Sequence, residues 1–335
     1  MAEPRPLCDA YPKLSEALEW PRLCTLPTPV EPLAGLSDRA FVKRDDQTHP
    51  VYGGNKLRKL ELIASEIRRQ QATEVITFGG TGTNAGVATA MVCQELGVDC
   101  QVLTFDQPPS PTVDKNQALM RHFGARLVQV GPIWAAALAW QLHPRRLSRR
   151  SYFLFAGCSN PIATLAYVNA AFELRVQVER GECPEPAEII VAAGTAATLA
   201  GLTLGCALAG LSARVVGVRV APARVGPVAS CTTQVVTRMM HECRARLAAQ
   251  HPELAHLSLP EPILLDAFYG DGYGISSAES DNAIARASRA GLELEQTYSG
   301  KAFAAFLSRL SQTPGPLLFW NTYNSRPTPY APTQP

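Results

Sequence analysis

The chain has 335 residues, 46% of them hydrophobic and 18% charged, the makeup of a soluble globular protein large enough for two intertwined cores. A formal net charge of +2 gives no reason to expect nucleic acid or an anionic membrane surface as a partner. Residues 1–23 lack the continuous apolar core of a signal peptide, and no apolar run is long enough to span a bilayer.

From about residue 74 onward, short apolar strands alternate with longer amphipathic helices. "EVITFGG" (74–80) predicts a strand and "TNAGVATAMVCQELG" (83–97) a helix ending at Gly97. "CQVLTFD" (100–106), "PTVDKNQALMRHFG" (111–124) and "ARLVQV" (125–130) continue as strand, helix, strand. "SYFLFAG" (151–157) leads into the helix "IATLAYVNAAFELRVQVER" (162–180). "EIIVAAG" (188–194) precedes the helix "TLAGLTLGCALAG" (198–210), and "ARVVGVRVA" (213–221) a long helix over the 230s and 240s. The last unit is "KAFAAFLSRL" (301–310) followed by "PLLFWNT" (316–322). This alternation implies parallel sheets covered by helices, arranged as two α/β units with a cleft between them. The tail "SRPTPYAPTQP" (325–335) reads as low-complexity and flexible. Nine cysteines, odd in number and without a pair at metal-ligand spacing, fit free thiols in a reducing cytoplasm, and no metal is expected.

Of only six lysines, Lys56 holds a distinctive place at the start of a helix after "YGGN". Leu60, Ile63 and Ile67 lie within roughly 40° of it on the helical wheel, so a lysine centres the apolar stripe. Arg58, Glu61, Ser65 and Arg68 are expected on the wet face. A first-turn lysine can also snorkel past the helix end. Gly53 and Gly54 before it would let a flat ligand approach the backbone, and desolvation would favour a neutral, nucleophilic amine.

"AAGTAATLAG" (192–201) joins a buried strand to a helix start. Such a loop aims free N–H groups and the positive end of the helix dipole at an anion, although a tight turn of small residues has the same composition. It matches neither the P-loop nor the GxGxxG fingerprint.

The segment "VKRDDQTHPVYGGNKLRKLE" (42–61) resembles the lysine segment of the pyridoxal-phosphate (PLP) dependent D-cysteine desulfhydrase and 1-aminocyclopropane-1-carboxylate (ACC) deaminase family. The resemblance runs from "LPTPVEPL" (26–33) to "LFWNTYNS" (318–325). It implies the type-II PLP fold, similar to the tryptophan synthase β-subunit. A large domain would comprise residues 1–52 and 165–335 and a small one residues 53–164. Lys56 would form the Schiff base to PLP, with Asn55 beside it. Asn84 would hold the cofactor's phenolate oxygen and Thr83 would stand at the family's Ser. Gly194, Thr195, Ala196, Ala197 and Thr198 would hold the phosphate. Tyr273 and Tyr298 would face the substrate, while Ser299 and Thr322 would lie near the pyridine nitrogen. Relatives are usually homodimers. Read from the residues alone, Thr83 and Asn84 are equally a helix N-cap pair, and either tyrosine an ordinary half-buried aromatic.

This chain departs from the family at Thr83, at Ala85 (where the family has His), in a phosphate loop richer in alanine and threonine, and in "FWNTYNS". ACC deaminases resemble one another in carrying Glu and Leu at the positions of Ser299 and Thr322, so the pair here is similar to the desulfhydrases. The implied reaction is Cα-deprotonation and β-elimination from a small amino acid such as D-cysteine or cysteate, with release of ammonia and a 2-oxo acid. Deamination or racemisation of another small amino acid, or PLP binding without catalysis, are the alternatives.

Overall fold

The computed structural model describes residues 5–327. Residues 1–4, and the part of the expected flexible tail beyond residue 327, lie outside the described residues. Two sheets carry the α/β fold expected from the alternation. The larger has six strands, in the order Val30–Pro32, Ala40–Lys43, Leu317–Trp320, Glu188–Ala193, Arg214–Arg219, Ile263–Leu265. Only its edge pair, Val30–Pro32 with Ala40–Lys43, is antiparallel. The smaller has four parallel strands, in the order Arg126–Gly131, Asp99–Phe105, Glu74–Gly80, Ser151–Phe153. A two-stranded hairpin, Arg224–Val225 with Val228–Ala229, stands apart from both.

The central strands Glu74–Gly80, Glu188–Ala193 and Leu317–Trp320 are buried along their whole length, as expected of parallel strands covered on both faces. Five helices begin at side-chain caps, where Thr83, Ser110, Asn160, Thr232 and Ser277 each accept a first-turn N–H, whereas Asn55–Gln70, Ile133–Gln141 and Ser299–Gln312 lack one from the residue just before them. Helix Ala197–Ala209 has no such cap. The nine cysteines are free thiols, eight of them buried. No described helix is long and apolar enough to cross a membrane.

The helix opened by Lys56, Asn55–Gln70, departs from the wet face expected of it. Arg58 and Glu61 are each 1% exposed, and Ser65 is buried as well. Arg58 Nη2 pairs with Asp45 at 2.7 Å and Glu173 at 2.9 Å, and Lys43 Nζ joins Glu173 at 2.5 Å. Tyr167 and Trp320 donate to the remaining oxygen of Asp45 at 2.8 and 2.7 Å. On the neighbouring turn Glu61 accepts from the N–H groups of Leu23 and Cys24 and from the Trp20 indole. The N-terminal segment and helix Pro161–Glu179 thus cover that face, and buried charge is tolerated there because it is fully paired.

Candidate active site

A cavity of about 560 Å³ opens at the C-terminal ends of strands Glu74–Gly80, Glu188–Ala193 and Leu317–Trp320, where open parallel sheets normally bind ligands. Lys56 reaches it from the first turn of its helix. The amine donates to Asn55 Oδ1 at 2.9 Å, and Asn55 Nδ2 donates to Thr198 Oγ1 at 3.2 Å, tying the lysine to the loop after Ala193. Burial lowers the Lys56 pKa below the ordinary lysine value, with Cys158 and Glu295 acting the other way. A larger share of the amine is therefore neutral and nucleophilic.

Gly53 and Gly54 serve a different end from the one expected. Neither lines the cavity. A Cβ at Gly53 would lie 1.9 Å from the Asp46 carbonyl oxygen, and Gly54, at φ +106°, would place one 3.0 Å from the Thr322 carbonyl. The glycines let two backbone segments meet, and that meeting fixes Lys56: Asn55 N–H donates to the Thr322 carbonyl at 3.2 Å.

Residues 194–198 line the cavity, and the uncapped helix Ala197–Ala209 begins there. No side chain caps this helix start, and although Ala197 N–H donates to the Thr195 carbonyl at 2.9 Å, the first turn and its dipole suit an anion. Ala196 is held at φ +66°, a left-handed conformation costing a Cβ-bearing residue about 1–2 kcal/mol. Strain kept at a ligand loop is a common sign of function.

Thr83 has the capping role expected of it: its Oγ1 caps helix Asn84–Leu96 by accepting from Gly86 N–H, and it and Asn84 face the cavity. Asn84 Oδ1 accepts from Tyr52 Oη at 3.1 Å and Asn116 Nδ2 at 2.7 Å. With the oxygen engaged twice, Nδ2 is the group left to a ligand.

On the opposite wall the Tyr273 and Tyr298 hydroxyls are hydrogen-bonded to each other. Burial pushes both pKa values above the ordinary tyrosine value, so both are neutral acids at physiological pH. Thr322 lines the cavity, as expected. Ser299 does not: it is 1% exposed and its hydroxyl accepts from Glu295 N–H at 2.9 Å. The acid at this turn is Glu295, which lines the cavity and whose carboxylate accepts from the N–H groups of Thr297, Tyr298 and Ser299 at 2.7, 2.8 and 2.9 Å. It caps helix Ser299–Gln312 and thereby fixes Tyr298. Sequence reasoning also passed over Lys59, which lines the cavity and is 1% exposed. Its pKa falls well below the ordinary value, through burial and then the charge of Lys56. The signal was available, since a residue three positions on lies about 60° from Lys56 on the wheel.

A buried lysine with a lowered pKa, a helix start without a side-chain cap, and an amide whose oxygen is already engaged all line one cavity and fit an aldehyde cofactor bearing a phosphate. The chain belongs to the pyridoxal-phosphate dependent enzyme family, which it matches over residues 22–320. It is 32% identical over 312 residues to the nocardicin C-9' epimerase of Nocardia uniformis subsp. tsuyamanensis, covering 91% of this chain and 92% of that protein. Among solved structures it resembles an ACC deaminase homologue, with TM-score 0.75, 26% identity, and coverage of 96% of this chain and 95% of the other. A fungal L-serine ammonia-lyase from Rhizomucor miehei shares the fold, with TM-score 0.63, 15% identity, and coverage of 90% and 95%. The protein is thus a PLP-dependent enzyme of the type-II fold.

Proposed function

We propose that Lys56 holds PLP and moves the Cα proton of an amino acid, and that the enzyme eliminates a β-substituent with its electron pair. The unsaturated amino acid that is left tautomerises to an imine, which water hydrolyses to a 2-oxo acid and ammonia. The bound cofactor supplies an electron sink for the electron pair left at Cα. The N–H groups of residues 194–198 receive the phosphate, with the Lys59 side chain also lining the cavity. Asn84 Nδ2 donates to the phenolate oxygen, and Thr322 lies against the ring nitrogen. On this reading residues 1–52 and 165–335 form the larger domain and residues 53–164 the smaller.

One observation carries the choice of elimination: the Tyr273 and Tyr298 hydroxyls line the cavity hydrogen-bonded to each other. A neutral hydroxyl pair can donate a proton to a departing β-group. Epimerisation in both directions needs a second group that also removes a proton, and raised pKa values oppose that. The 32% identity to an epimerase supports the second reading, in which a tyrosine returns the proton to the opposite face of Cα. Ser299 does not line the cavity while Thr322 does, which supports Thr322 rather than Ser299 as the hydroxyl near the ring nitrogen.

The test is an assay of D-cysteine, L-cysteate, β-chloroalanine and ACC for 2-oxo acid release, alongside inversion of D- and L-alanine. Release from a β-substituted substrate with little inversion supports elimination. Inversion without release would replace it with the epimerase reading, and turnover of ACC alone would contradict both.

A further inference from the structure

The cavity extends beyond the residues suited to the cofactor. Its far end is walled by helix Ile133–Gln141, which packs on the smaller sheet, and by the hairpin 224–229 that follows strand Arg214–Arg219 of the larger one. The helix buries Ala136 and Trp140, whose indole donates to the Ile76 carbonyl at 3.1 Å. That anchor turns the neighbouring stripe, Trp134, Leu138 and Gln141, toward the cavity and its mouth. Trp134 is 58% exposed and Leu138 49%, and Val228, on the hairpin, is 63% exposed. Large apolar groups gathered on two elements from different sheets, all lining one cavity, mark a ligand surface rather than scattered surface residues.

Charge is distributed with the same bias. The lysines and acids lining the cavity are Lys56, Lys59 and Glu295, on the two helix starts that frame the cofactor end. Helix Ile133–Gln141 and the hairpin contribute no charged side chain to the lining. A three-carbon amino acid offers nothing for Trp134, Leu138 and Val228 to cover.

We propose that this end of the cavity is a side-chain subsite, and that the substrate is an amino acid carrying a long, uncharged and largely apolar side chain, such as an aryl-terminated one. The proposal rests on the reading that an amino acid is bound at Lys56 and narrows its class. It sets a larger side chain beside the cysteine-sized substrate expected from the sequence.

Amino acids methylated at Cα bind without losing a Cα proton, so their affinity reports on the subsite separately from the reaction. The experiment is calorimetric titration of the PLP-loaded enzyme with D- and L-α-methyl-homophenylalanine, with 2-aminoisobutyrate, and with the homophenylalanine analogue bearing a para-carboxylate. The aryl compound should bind at least ~10-fold tighter than 2-aminoisobutyrate, and the carboxylate should abolish that gain. The double variant Trp134→Ala, Leu138→Ala should narrow the ratio, and Leu138→Arg should shift preference to the carboxylated compound. Equal binding of aryl and small compounds overturns the subsite, as does an unchanged ratio in the double variant. Exchange of the Cα proton of D- and L-homophenylalanine in D₂O is followed in parallel. No exchange, with the binding preference intact, would contradict Cα-deprotonation while supporting the subsite, and no binding of any of the compounds would overturn both.

Discussion

Asn116 Nδ2 donates to Asn84 Oδ1 at 2.7 Å and also to the Gly82 carbonyl at 2.8 Å. Asn116 is 2% exposed and has its own place in helix Pro111–His122, so it fixes which end of the Asn84 amide faces the cavity. Asn116→Leu should leave Asn84 free to turn and weaken PLP binding about 10-fold, equivalent to about 1.4 kcal/mol. Equilibrium titration of the apoenzyme with PLP checks this. Unchanged affinity would mean that Asn84 orientation does not matter.

Ala196 tests the loop in two directions. Ala196→Gly removes the Cβ clash at φ +66° and should raise the unfolding free energy by about 0.5–1 kcal/mol. Ala196→Asp sets a carboxylate among N–H groups meant for a phosphate and should lower PLP affinity at least ~10-fold. Denaturant melts of the apoenzyme read the first effect and PLP titration the second. An Asp variant with normal affinity would reduce the loop to a turn.

Glu173 links stability to pH. Burial pushes its carboxyl up, but Arg58 and Lys43 beside it outweigh this and hold it at about 2. A carboxylate held below its unfolded value adds stability above that value and loses it as pH falls through the folded one. Glu173→Gln strands two buried cations on one carboxylate, Asp45, and should cost about 3–5 kcal/mol at neutral pH. The difference between wild type and variant should shrink as pH drops from about 5 to about 3. Urea unfolding at several pH values measures it, and a difference independent of pH would contradict the ionic account.

Most strands and helices after residue 74 were legible because a buried parallel strand and the helix covering it have distinct periods, although strand Ile263–Leu265 and helix Ala278–Arg289 were not read. The edge strand Val30–Pro32 and its neighbour Ala40–Lys43 were missed, being three and four residues long. Helix Ile133–Gln141 escaped notice for a different reason: its outward face is apolar, which erases the contrast on which periodicity depends. Arg58 read as solvated because its partner Glu173 lies 115 residues away, and a wheel shows one helix without its neighbours. Lys56, the loop at 194–198 and Asn84 were named correctly as cavity residues because each has a local cause: a helix start, a strand-to-helix turn, an N-terminal first turn. Ser299 was misplaced because the choice between it and Glu295 depends on how one turn closes.

The most direct measurement is reduction of the PLP-loaded enzyme with borohydride, followed by peptide mapping. A lysine whose pKa burial has lowered should be joined to the cofactor at neutral pH. The account predicts that the added mass lies on the peptide containing Lys56, at that residue, and that Lys56→Ala keeps the fold but carries no fixed cofactor. Labelling of Lys59 or any other lysine in place of Lys56, or no fixed cofactor in the wild type, would contradict it.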